Sequence, residues 1–539
     1  MKNLTLGNIA LACGGTYLGP DSMADTEITA VTTDSRKVPR GALFAAIKGE
    51  RVDGHKFIRM AHEKGAYACL VEEGPEEIAD LLTASEDRDQ SARVRKDVLK
   101  SLQQFPLIRV PSTGKALMNL AEYYLRQLSL PVIGIIGSVG KTSTKEMVAS
   151  VLSQKYRVLK TEGNFNNELG LPLTIFRLTE EDQIAVLEMG IDDFGQMRQL
   201  AKIARPTTVV MTNIGTCHLD HLKDRNGVWR AKSEVFDYVK KGGSAVFNGD
   251  DDKLAPVHEI RGIRPIHYGL SPVAADGQLN DLWADHIEEN GFEGSTCTFH
   301  IRTAGDGTGA GNQYDHTEAA EVRGDKKKLA EAEEKTMRVH IPMPGRHMIL
   351  NALAGAAVGK LYGLTLEEIK AGIEKAETIS GRFHIIKGEK FTVIDDCYNA
   401  NPMSMKASLS VLASDHSADR EGEVGEKDRK GGRKVAILGD MGELGTDEAK
   451  LHAEVGETAA GLDLDAVYCA GPLSRNIVKA IAEGQNPSHQ IETRWYPDRQ
   501  ALQDELAGLV KPGDTILVKA SHFMQFGEIL KQLQVMQGE

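Results

Sequence analysis

The chain reads Pro131-Val132-Ile133-Gly134-Ile135-Ile136-Gly137 and then Ser138-Val139-Gly140-Lys141-Thr142-Ser143, and this stretch decides the fold. Its first half is an unbroken apolar run, which is typical of a strand buried on both faces of a parallel sheet. The apolar residues Met147, Val148 and Val151 then recur at helical spacing. A strand, a glycine-rich loop and a helix in this order predict a phosphate-binding loop in an α/β domain.

This loop carries the groups that phosphate binding requires. Its glycines let backbone N–H groups close around an anion, and the helix N-terminus adds partial positive charge. Lys141 would reach the terminal phosphates, and Thr142 would hold Mg²⁺. The strict GxxxxGK[ST] pattern is not met because Ile135 occupies its first glycine position, so a chance match is the alternative. The flanking strand and helix favour nucleotide binding, and the predicted residues are Gly137, Ser138, Gly140, Lys141, Thr142 and Ser143.

Strand-like apolar runs alternate with helical stretches on both sides of this loop. The runs lie at 28–36, 41–49, 67–71, 184–188, 208–213, 244–248, 391–394, 434–438, 466–469 and 515–518. Such alternation implies doubly wound sheets, and 539 residues are too many for one core. We therefore predict an α/β protein of three domains. They are a small N-terminal α/β domain (1–129), a central doubly wound, mostly parallel domain with a P-loop-like ATP site (130–378), and a Rossmann-like C-terminal domain (379–539).

Three stretches are rich in charge and poor in large apolar residues, namely 84–100, 302–336 and 414–433. Such compositions cannot support a core of their own. We expect an insertion or mobile loop at 84–100, a mobile excursion at 302–336 and a charged insert at 414–433. All three look peripheral, and a partner-binding role for them stays open.

The bulk composition narrows the class of protein. The net charge of −13 opposes nonspecific nucleic-acid binding, and no apolar run approaches the roughly 20 residues of a membrane helix. The N-terminus does not resemble a secretory signal, so we expect a cytoplasmic protein. Six cysteines without a CxxC pair argue against a disulfide framework and a structural zinc site. Small-molecule chemistry is the favoured function.

Three polar residues near the predicted sheet edge are candidates for metal chemistry. Glu188 ends an apolar strand, so its carboxylate would emerge where ligands bind in this fold class. His218 follows the strand at 208–213, and Lys232 lies in a helical segment. Taken singly, each is more often a solvated or hydrogen-bonded side chain than a ligand.

Several segments in order along the chain together resemble the Mur ligases of peptidoglycan synthesis. The resemblance extends over all three predicted domains. Its segments are Gly137–Thr142 with Lys145-Glu146, Asn164–Pro172, Glu188-Met189-Gly190, Asn213-Ile214-Gly215 with His218, Ala231–Glu234, Pro344–His347 with Asn351–Ala354, Gly381-Arg382 and Asp395–Pro402.

The resemblance implies an ATP-dependent ligase that forms an amide bond through an acyl phosphate. Tyr398–Met405 and Leu438–Gly445 look like the segments of members that add D-alanyl-D-alanine to UDP-N-acetylmuramoyl-tripeptide. Members that add the third amino acid carry an Asp-Asn-Pro-Arg motif, which this sequence lacks. The implied partners are therefore these two small molecules, with ATP and Mg²⁺, and we expect a monomer.

Residue roles also follow from the resemblance. Lys141, Lys232, His218 and Glu188 would be catalytic, with Lys232 carbamylated, and the Mg²⁺ ligands would be Thr142, Glu188, His218 and Lys232. Asn351 would face the adenine, while Arg382 and Asp396 would contact the ribose or phosphates. Met348 departs from the family, which often has Asn at this position. The expected substrate-binding residues are Thr33, Asp34, Ser35, Arg36 and Lys48 at the UDP end, and Asn166, Asn167, Tyr398, Asn399 and Asn401 elsewhere.

Two alternatives stay open at this point. One is a sister ligase with the same chemistry and a different amino acid or folate substrate. The other is a nucleotide-driven regulatory protein that uses the loop as a switch. The absence of a guanine-reading NKxD segment opposes the second alternative.

Overall fold

A computed structural model describes residues 1–49, 52–84, 88–303, 333–414, 432–484 and 489–538. Three sheets follow one another along the chain, each flanked by helices. The predicted three-domain α/β architecture is therefore confirmed. In the described residues, no helix is long and apolar enough to span a lipid bilayer.

The N-terminal sheet is small and mixed. Its strands are β1 (Thr16–Leu18), β2 (Val31–Thr32), β3 (Leu43–Ala45), β4 (Ala68–Val71) and β5 (Leu107–Arg109). Its helices are α1 (Leu6–Cys13), α2 (Ile58–Glu63), α3 (Pro75–Thr83), α4 (Arg88–Gln104) and α5 (Thr113–Gln127). The strand order is β1-β5-β4-β3-β2, with only β1 antiparallel to its neighbour.

Among the described residues, the central sheet has nine strands. They are β6 (Val132–Ile136), β7 (Val158–Lys160), β8 (Ile184–Glu188), β9 (Thr208–Met211), β10 (Ser244–Asn248), β11 (Ile266–Gly269), β12 (Leu282–Glu289), β13 (Ser295–Thr303) and β14 (Glu333–Ile341). The helices are α6 (Lys141–Leu152), α7 (Gly170–Ile175), α8 (Gln196–Ala204), α9 (Leu219–Leu222), α10 (Arg225–Ser233), α11 (Arg346–Leu361) and α12 (Leu366–Glu374). The order β14-β13-β12-β11-β10-β9-β6-β8-β7 places β6 between β9 and β8.

This arrangement of the central sheet positions the site. The strands from β7 to β12 run parallel, so the segments after β6, β8 and β9 emerge at one edge. The phosphate loop, Glu188 and the segment leading to His218 follow these three neighbouring strands. A topological switch of this kind is where ligands bind in open α/β sheets.

The C-terminal sheet has six strands. They are β15 (His384–Lys387), β16 (Thr392–Asp395), β17 (Lys434–Gly439), β18 (Ala466–Ala470), β19 (Glu492–Tyr496) and β20 (Thr515–Lys519). The helices are α13 (Pro402–Ala413), α14 (Glu448–Ala460), α15 (Arg475–Gly484), α16 (Arg499–Leu509) and α17 (Gly527–Gln537). The order is β15-β16-β20-β17-β18-β19, and only β15 is antiparallel to its neighbour.

The interpretation of 84–100 as a mobile loop is wrong, because α4 occupies most of it. Leu102 is buried, and Val98 and Leu99 are partly buried against the N-terminal core. The charged residues of an amphipathic helix lower its mean hydropathy without removing this apolar stripe.

Of the other two charged stretches, the structure describes only the residues at the ends. Residues 302–303 and 333–336 belong to an antiparallel pair, β13 and β14, with Thr303 opposite Glu333. That pair, together with the antiparallel contact of β12 and β13, extends the parallel sheet in a way that the sequence analysis did not predict. Residues 304–332 and 415–431 lie outside the described residues, so the expectation for them stays a prediction.

Candidate active site between the central and C-terminal domains

The loop after β6 has a backbone that only glycine tolerates at its first position. Gly137 has φ +143°, and a Cβ atom added there would lie 2.0 Å from Thr212 Oγ1. The tip of the loop is held by the two residues that follow the neighbouring strand β9. Asn213 Oδ1 accepts a hydrogen bond from Val139 N (3.0 Å), and Thr212 Oγ1 donates to Val139 O (2.6 Å). Gly140, at φ +80°, then leads into α6. The anion-binding shape is thus fixed by contacts with the segment after β9.

A cavity of about 350 Å³ opens from this loop. Lys141 lies on its wall, with Nζ donating to the carbonyls of Gly137 (3.0 Å) and Ser138 (3.2 Å). These are weak partners that a phosphate oxygen could replace. The predicted nucleotide-binding residues on the cavity wall are Ser138, Gly140, Lys141, Thr142, Ser143, Asn351, Arg382 and Asp396. The central and C-terminal domains therefore share one cavity of a size that suits a small molecule.

Asn351 is placed beside the phosphate loop by α11. Its Oδ1 accepts a hydrogen bond from Thr144 Oγ1 (2.9 Å), and its Nδ2 lies 3.2 Å from Met348 Sδ. The departure from the family at Met348 therefore supplies a sulfur partner where an amide would stand. Both polar atoms of Asn351 face protein groups in this structure.

The Glu188 carboxylate is buried at the end of β8, with 2% of the residue exposed. Its Oε1 accepts a hydrogen bond from Asn166 Nδ2 (2.8 Å), and its backbone N–H donates to Thr161 Oγ1 (3.0 Å). Its Oε2 is buried without a hydrogen-bond partner. A buried carboxylate oxygen without a partner is costly unless a cation or donor binds it.

His218 lies in the segment after β9 and contacts the C-terminal domain. Its Nδ1 is 2.5 Å from Glu443 Oε2, and three quarters of its side chain is buried. The neighbouring Leu219 N donates to Glu443 O (3.0 Å). The His218 ring lowers the pKa of Glu443 below its ordinary value, because the neighbouring ring nitrogen favours the charged carboxylate.

Lys232 is fully buried on α10, with 1% of the residue exposed. The pKa of its amine is lowered to about 8, mainly by burial, and the nearby Lys141 cation contributes in the same direction. Within the described residues no carboxylate lies within ion-pair distance of Lys232. Cys217, whose charge acts on Lys232, contacts Ser138 of the phosphate loop, with Sγ 3.3 Å from Oγ.

The C-terminal wall of the cavity contains a buried ion pair. Asp396 Oδ2 lies 2.7 Å from Lys519 Nζ and accepts a hydrogen bond from Ser408 Oγ (2.6 Å). Asp396 Oδ1 accepts from Phe383 N (3.2 Å). Burial lowers the pKa of Lys519, while Asp396 opposes that shift. Both oxygens of Asp396 are therefore engaged within the protein.

Tyr398 links the C-terminal domain to the Glu188 region. The Arg382 guanidinium lies over its ring, 4.2 Å from the centroid. Burial raises the pKa of Tyr398, and the Glu188 carboxylate raises it further. Arg382, Tyr398 and Glu188 therefore belong to one electrostatic neighbourhood.

Three predicted substrate-binding asparagines use their carbonyl oxygens locally. Asn401 Oδ1 caps α13 by accepting from Ser404 N (2.9 Å), and Asn399 Oδ1 accepts from Ala400 N (2.9 Å). Asn167 Oδ1 accepts from Gly170 N (2.9 Å) at the start of α7. Asn399 and Asn401 also line the cavity.

The predicted UDP-binding segment lies in the N-terminal domain, after β2. Arg36 Nε donates to Asp34 Oδ1 (2.9 Å), and this partner holds the pKa of Asp34 at about 2. Ser35 is buried, and Lys64 Nζ donates to its carbonyl (3.0 Å), which fixes the turn. Lys48, more than half exposed, lies 3.8 Å from Glu73. This segment, with Thr33, is not part of the cavity wall.

Comparison with known proteins decides the family. The chain matches the Mur ligase family catalytic domain at 27–124, the Mur ligase middle domain at 135–359 and the Mur ligase glutamate ligase domain at 381–522. It is 32% identical to UDP-N-acetylmuramoyl-tripeptide--D-alanyl-D-alanine ligases of Bacillus subtilis and Escherichia coli, covering 99% of each chain. The chain belongs to the Mur ligase family.

Solved structures agree with this assignment. The model superposes on a MurF structure from Acinetobacter baumannii with a TM-score of 0.76, at 27% identity over 99% of both chains. A Thermotoga maritima MurF ligase in complex with ADP gives a TM-score of 0.68 at 26% identity, covering 94% of this chain and 98% of that one. Mur ligases of this kind depend on ATP.

The donor set of this Mur ligase fits a divalent cation through Glu188. Its unpaired Oε2 is the kind of hard oxygen that Mg²⁺ prefers. No three His, Cys, Asp or Glu side chains in the described part of the chain form a metal cluster by themselves. A complete site would therefore need donors of other kinds beside the Glu188 carboxylate.

Sequence reasoning missed two residues of this Mur ligase site. Lys519 ends the buried strand β20. A lysine directly after an apolar run could have been recognised in the sequence as a candidate for the sheet edge. Glu443 lies within the recognised 438–445 segment, but its pairing with His218 joins residues 225 positions apart. Only the docking of the two domains brings that pair together.

Proposed function

We propose that this Mur ligase joins the amine of D-alanyl-D-alanine to the terminal carboxylate of UDP-N-acetylmuramoyl-tripeptide, with conversion of ATP to ADP and phosphate. One observation carries the proposal: the cavity is shared by the phosphate loop and the C-terminal sheet edge in a chain that aligns over 99% of its length with ligases of that name. A site between two domains suits a reaction that brings a nucleotide and two further substrates together.

In the proposed reaction, the peptide carboxylate attacks the γ-phosphorus of ATP, giving an acyl phosphate and ADP. The dipeptide amine then attacks the acyl carbon, and phosphate leaves with the former carboxylate oxygen. Lys141 would exchange its loop carbonyls for phosphate oxygens and neutralise charge there. Positioning and electrostatics supply most of the barrier reduction in phosphoryl transfer.

The residues proposed to hold Mg²⁺ are Thr142, Glu188, His218 and Lys232. When bound, the cation would neutralise charge on the transferring phosphoryl group. Asn166 would orient the Glu188 carboxylate through its hydrogen bond to Oε1.

We further propose that Lys232 is carbamylated, because an unmodified buried cation would repel the metal. A carbamate forms from the neutral amine, and the low pKa favours that form. At pH 7 an amine of pKa 8 is about one tenth neutral, against less than about one thousandth at the ordinary value. The environment of Lys232 thus supports the modification.

The three domains would divide the substrates among them. We propose that the N-terminal domain (1–129) binds the UDP end through residues 33–36 and Lys48, and that the C-terminal domain (379–539) binds the dipeptide. The central domain (130–378) would bind ATP, with Asn351 towards the adenine and Arg382 reaching across to the ribose or phosphates. Both carboxylate oxygens of Asp396 already have partners within the protein. We therefore propose that Asp396 stabilises the cavity wall. The further proposed substrate contacts are Asn166, Asn167, Tyr398, Asn399 and Asn401.

A substrate-panel assay tests this function. Purified protein with ATP, Mg²⁺ and UDP-N-acetylmuramoyl-tripeptide should release phosphate only after D-alanyl-D-alanine is added, and mass spectrometry should detect the pentapeptide product. Both the diaminopimelate and the lysine tripeptides should be offered. Release only with diaminopimelate or lysine on the dipeptide precursor would instead assign a sister ligase, and amine-independent hydrolysis would indicate a nucleotide switch.

A further inference from the structure

The C-terminal domain contacts the segment after β9 through one acidic residue. Glu443 offers its side chain to His218, with Oε2 2.5 Å from Nδ1, and its carbonyl to Leu219 N at 3.0 Å. A side-chain and a backbone contact from the same residue fix both the position and the rotation of this segment. This pair of contacts is here called the 218–443 contact.

The backbone on both sides of the 218–443 contact is unusual. His218 has φ +52° and Glu443 has φ +60°, although neither is glycine. Left-handed backbone at such residues costs about 1–2 kcal/mol and persists where surrounding contacts hold it. Gly445, at φ +66°, also approaches Leu219, since a Cβ atom added to it would lie 3.6 Å from Leu219 Cβ. The two segments are shaped against each other over several residues.

The consequence concerns the free nitrogen of His218. Nδ1 lies 2.5 Å from the Glu443 carboxylate. A proton on Nδ1 would therefore face that charge and leave Nε2 with an unshared electron pair that can bind a cation. Metal-ligating histidines commonly donate their other ring nitrogen to a carboxylate, which fixes the tautomer and orientation of the ring. On the proposed function, His218 is a central-domain ligand whose carboxylate partner comes from the C-terminal domain.

We propose that Glu443 is a positioning residue that holds His218 ready for the cation only when the C-terminal domain is docked. Docking would then complete the metal site at the same time as it brings the dipeptide to the cavity. This dependence would limit phosphoryl transfer to the assembled enzyme, where the acyl phosphate is protected from water.

The 218–443 contact can be weakened while the C-terminal domain stays bound to the central domain. The same two domains also meet at Gly345, where an added Cβ atom would lie 2.8 Å from Val411 Cγ2. The Glu443 side chain is also 58% exposed, so its replacement leaves no cavity in a core. Variants at this position should therefore fold.

Metal binding gives a readout that does not depend on turnover. Binding of Mn²⁺ to the purified full-length protein can be followed by the loss of the free-ion paramagnetic resonance signal. Glu443→Ala should weaken Mn²⁺ binding by roughly 10- to 100-fold, the effect typical of losing a ligand's carboxylate partner. Glu443→Gln, which keeps an oxygen acceptor but loses the charge, should give a smaller loss. Glu457→Gln, an exposed charge change on α14, is the matched control and should bind as the wild type does.

The same variants should raise the Mg²⁺ concentration needed for half-maximal ligation while leaving the KM for ATP within about threefold. Unchanged Mn²⁺ affinity in Glu443→Ala, with a melting temperature near that of the wild type, would overturn the proposal, as would wild-type protein that binds no Mn²⁺. Circular dichroism checks folding, and Glu443→Gln serves if the alanine variant unfolds. Normal metal binding without amine-dependent phosphate release would contradict the proposed function and leave the role of Glu443 standing.

Discussion

At the residue scale, burial distinguishes site residues that the sequence presents as ordinary. Lys232 lies in a helix where most lysines are solvated, yet only 1% of it is exposed. Glu188 likewise resembles a solvated strand-end carboxylate until the isolation of its Oε2 is seen. Sequence patterns could place both near the sheet edge, but the depth of a side chain depends on packing from distant elements.

Lys232→Ala should lower kcat for ligation at least roughly 100-fold, because it removes both the proposed carbamate and a buried polar partner of the site. If the carbamate is the active species, added formate or bicarbonate should restore part of the activity. Steady-state phosphate release measures both effects. Lys202→Ala, an exposed lysine on α8, is the control and should stay near wild type. Near-normal turnover of Lys232→Ala without additives would contradict the proposal that Lys232 carries a carbamate.

Glu188→Gln keeps the shape of the side chain but replaces one carboxylate oxygen by an amide donor. We expect the Mg²⁺ requirement to rise and kcat to fall by roughly 100-fold, since an uncharged amide is a poorer ligand for a hard cation. A Mg²⁺ titration of ligation rates at saturating ATP measures the change. Glu181→Gln alters an exposed glutamate of the same domain and should leave the titration unchanged. An unshifted titration for Glu188→Gln would exclude this residue from the metal site.

At the element scale, buried parallel strands were the most readable feature of the sequence. The predicted strands at 184–188 and 244–248 have the observed bounds, because strands buried on both faces appear as unbroken apolar runs. The helix α4 was missed because its charged face dominates the composition of residues 84–100. The β12–β14 extension was missed for a related reason: runs of mostly polar residues such as those from Asp285 to Glu289 resemble a loop.

The phosphate loop is an element whose shape can be tested by substitution. Gly137→Ala would place a methyl group 2.0 Å from Thr212 Oγ1, which must force the loop away from β9. Gly242→Ala is the matched control, because Gly242 also has a positive φ (+77°) but no atom within 4 Å of an added Cβ. We expect about 1 kcal/mol of destabilisation from strain in the control and about 1–3 kcal/mol more in Gly137→Ala.

The two glycine variants should also differ in nucleotide binding. Only Gly137→Ala should weaken ATP binding, by more than about tenfold, because it alone disturbs the anion-binding N–H groups. Denaturant unfolding and calorimetric titration with ATP measure the two effects. Equal behaviour of the two variants would mean that the close packing against Thr212 does not shape the loop.

At the scale of the whole molecule, the site depends on how two sheets face each other. Motif order along the chain predicted which residues belong together, and the cavity does unite the phosphate loop with Arg382, Asp396 and Asn399. Contacts between domains could not be predicted from the sequence. Apolar periodicity shows which residues are buried within a domain, but it does not show which surface of another domain they face. The buried cluster around α5 also runs from the N-terminal domain into the central one without a break.

The docked arrangement itself can be trapped by a disulfide. The Cβ position at Gly445 lies 3.6 Å from Leu219 Cβ, within the usual range for a bridge, so Leu219→Cys with Gly445→Cys should oxidise to a cross-link. We expect turnover to fall at least tenfold on oxidation and to recover with reductant, because substrates and products need the domains to separate. Non-reducing electrophoresis with parallel ligation assays follows both changes, and each single variant is a control for strain at Gly445 (φ +66°). A cross-linked enzyme of full activity would show that the catalytic cycle needs no opening at the 218–443 contact, whereas failure to cross-link under oxidant would show that the docked state is rarely populated in solution.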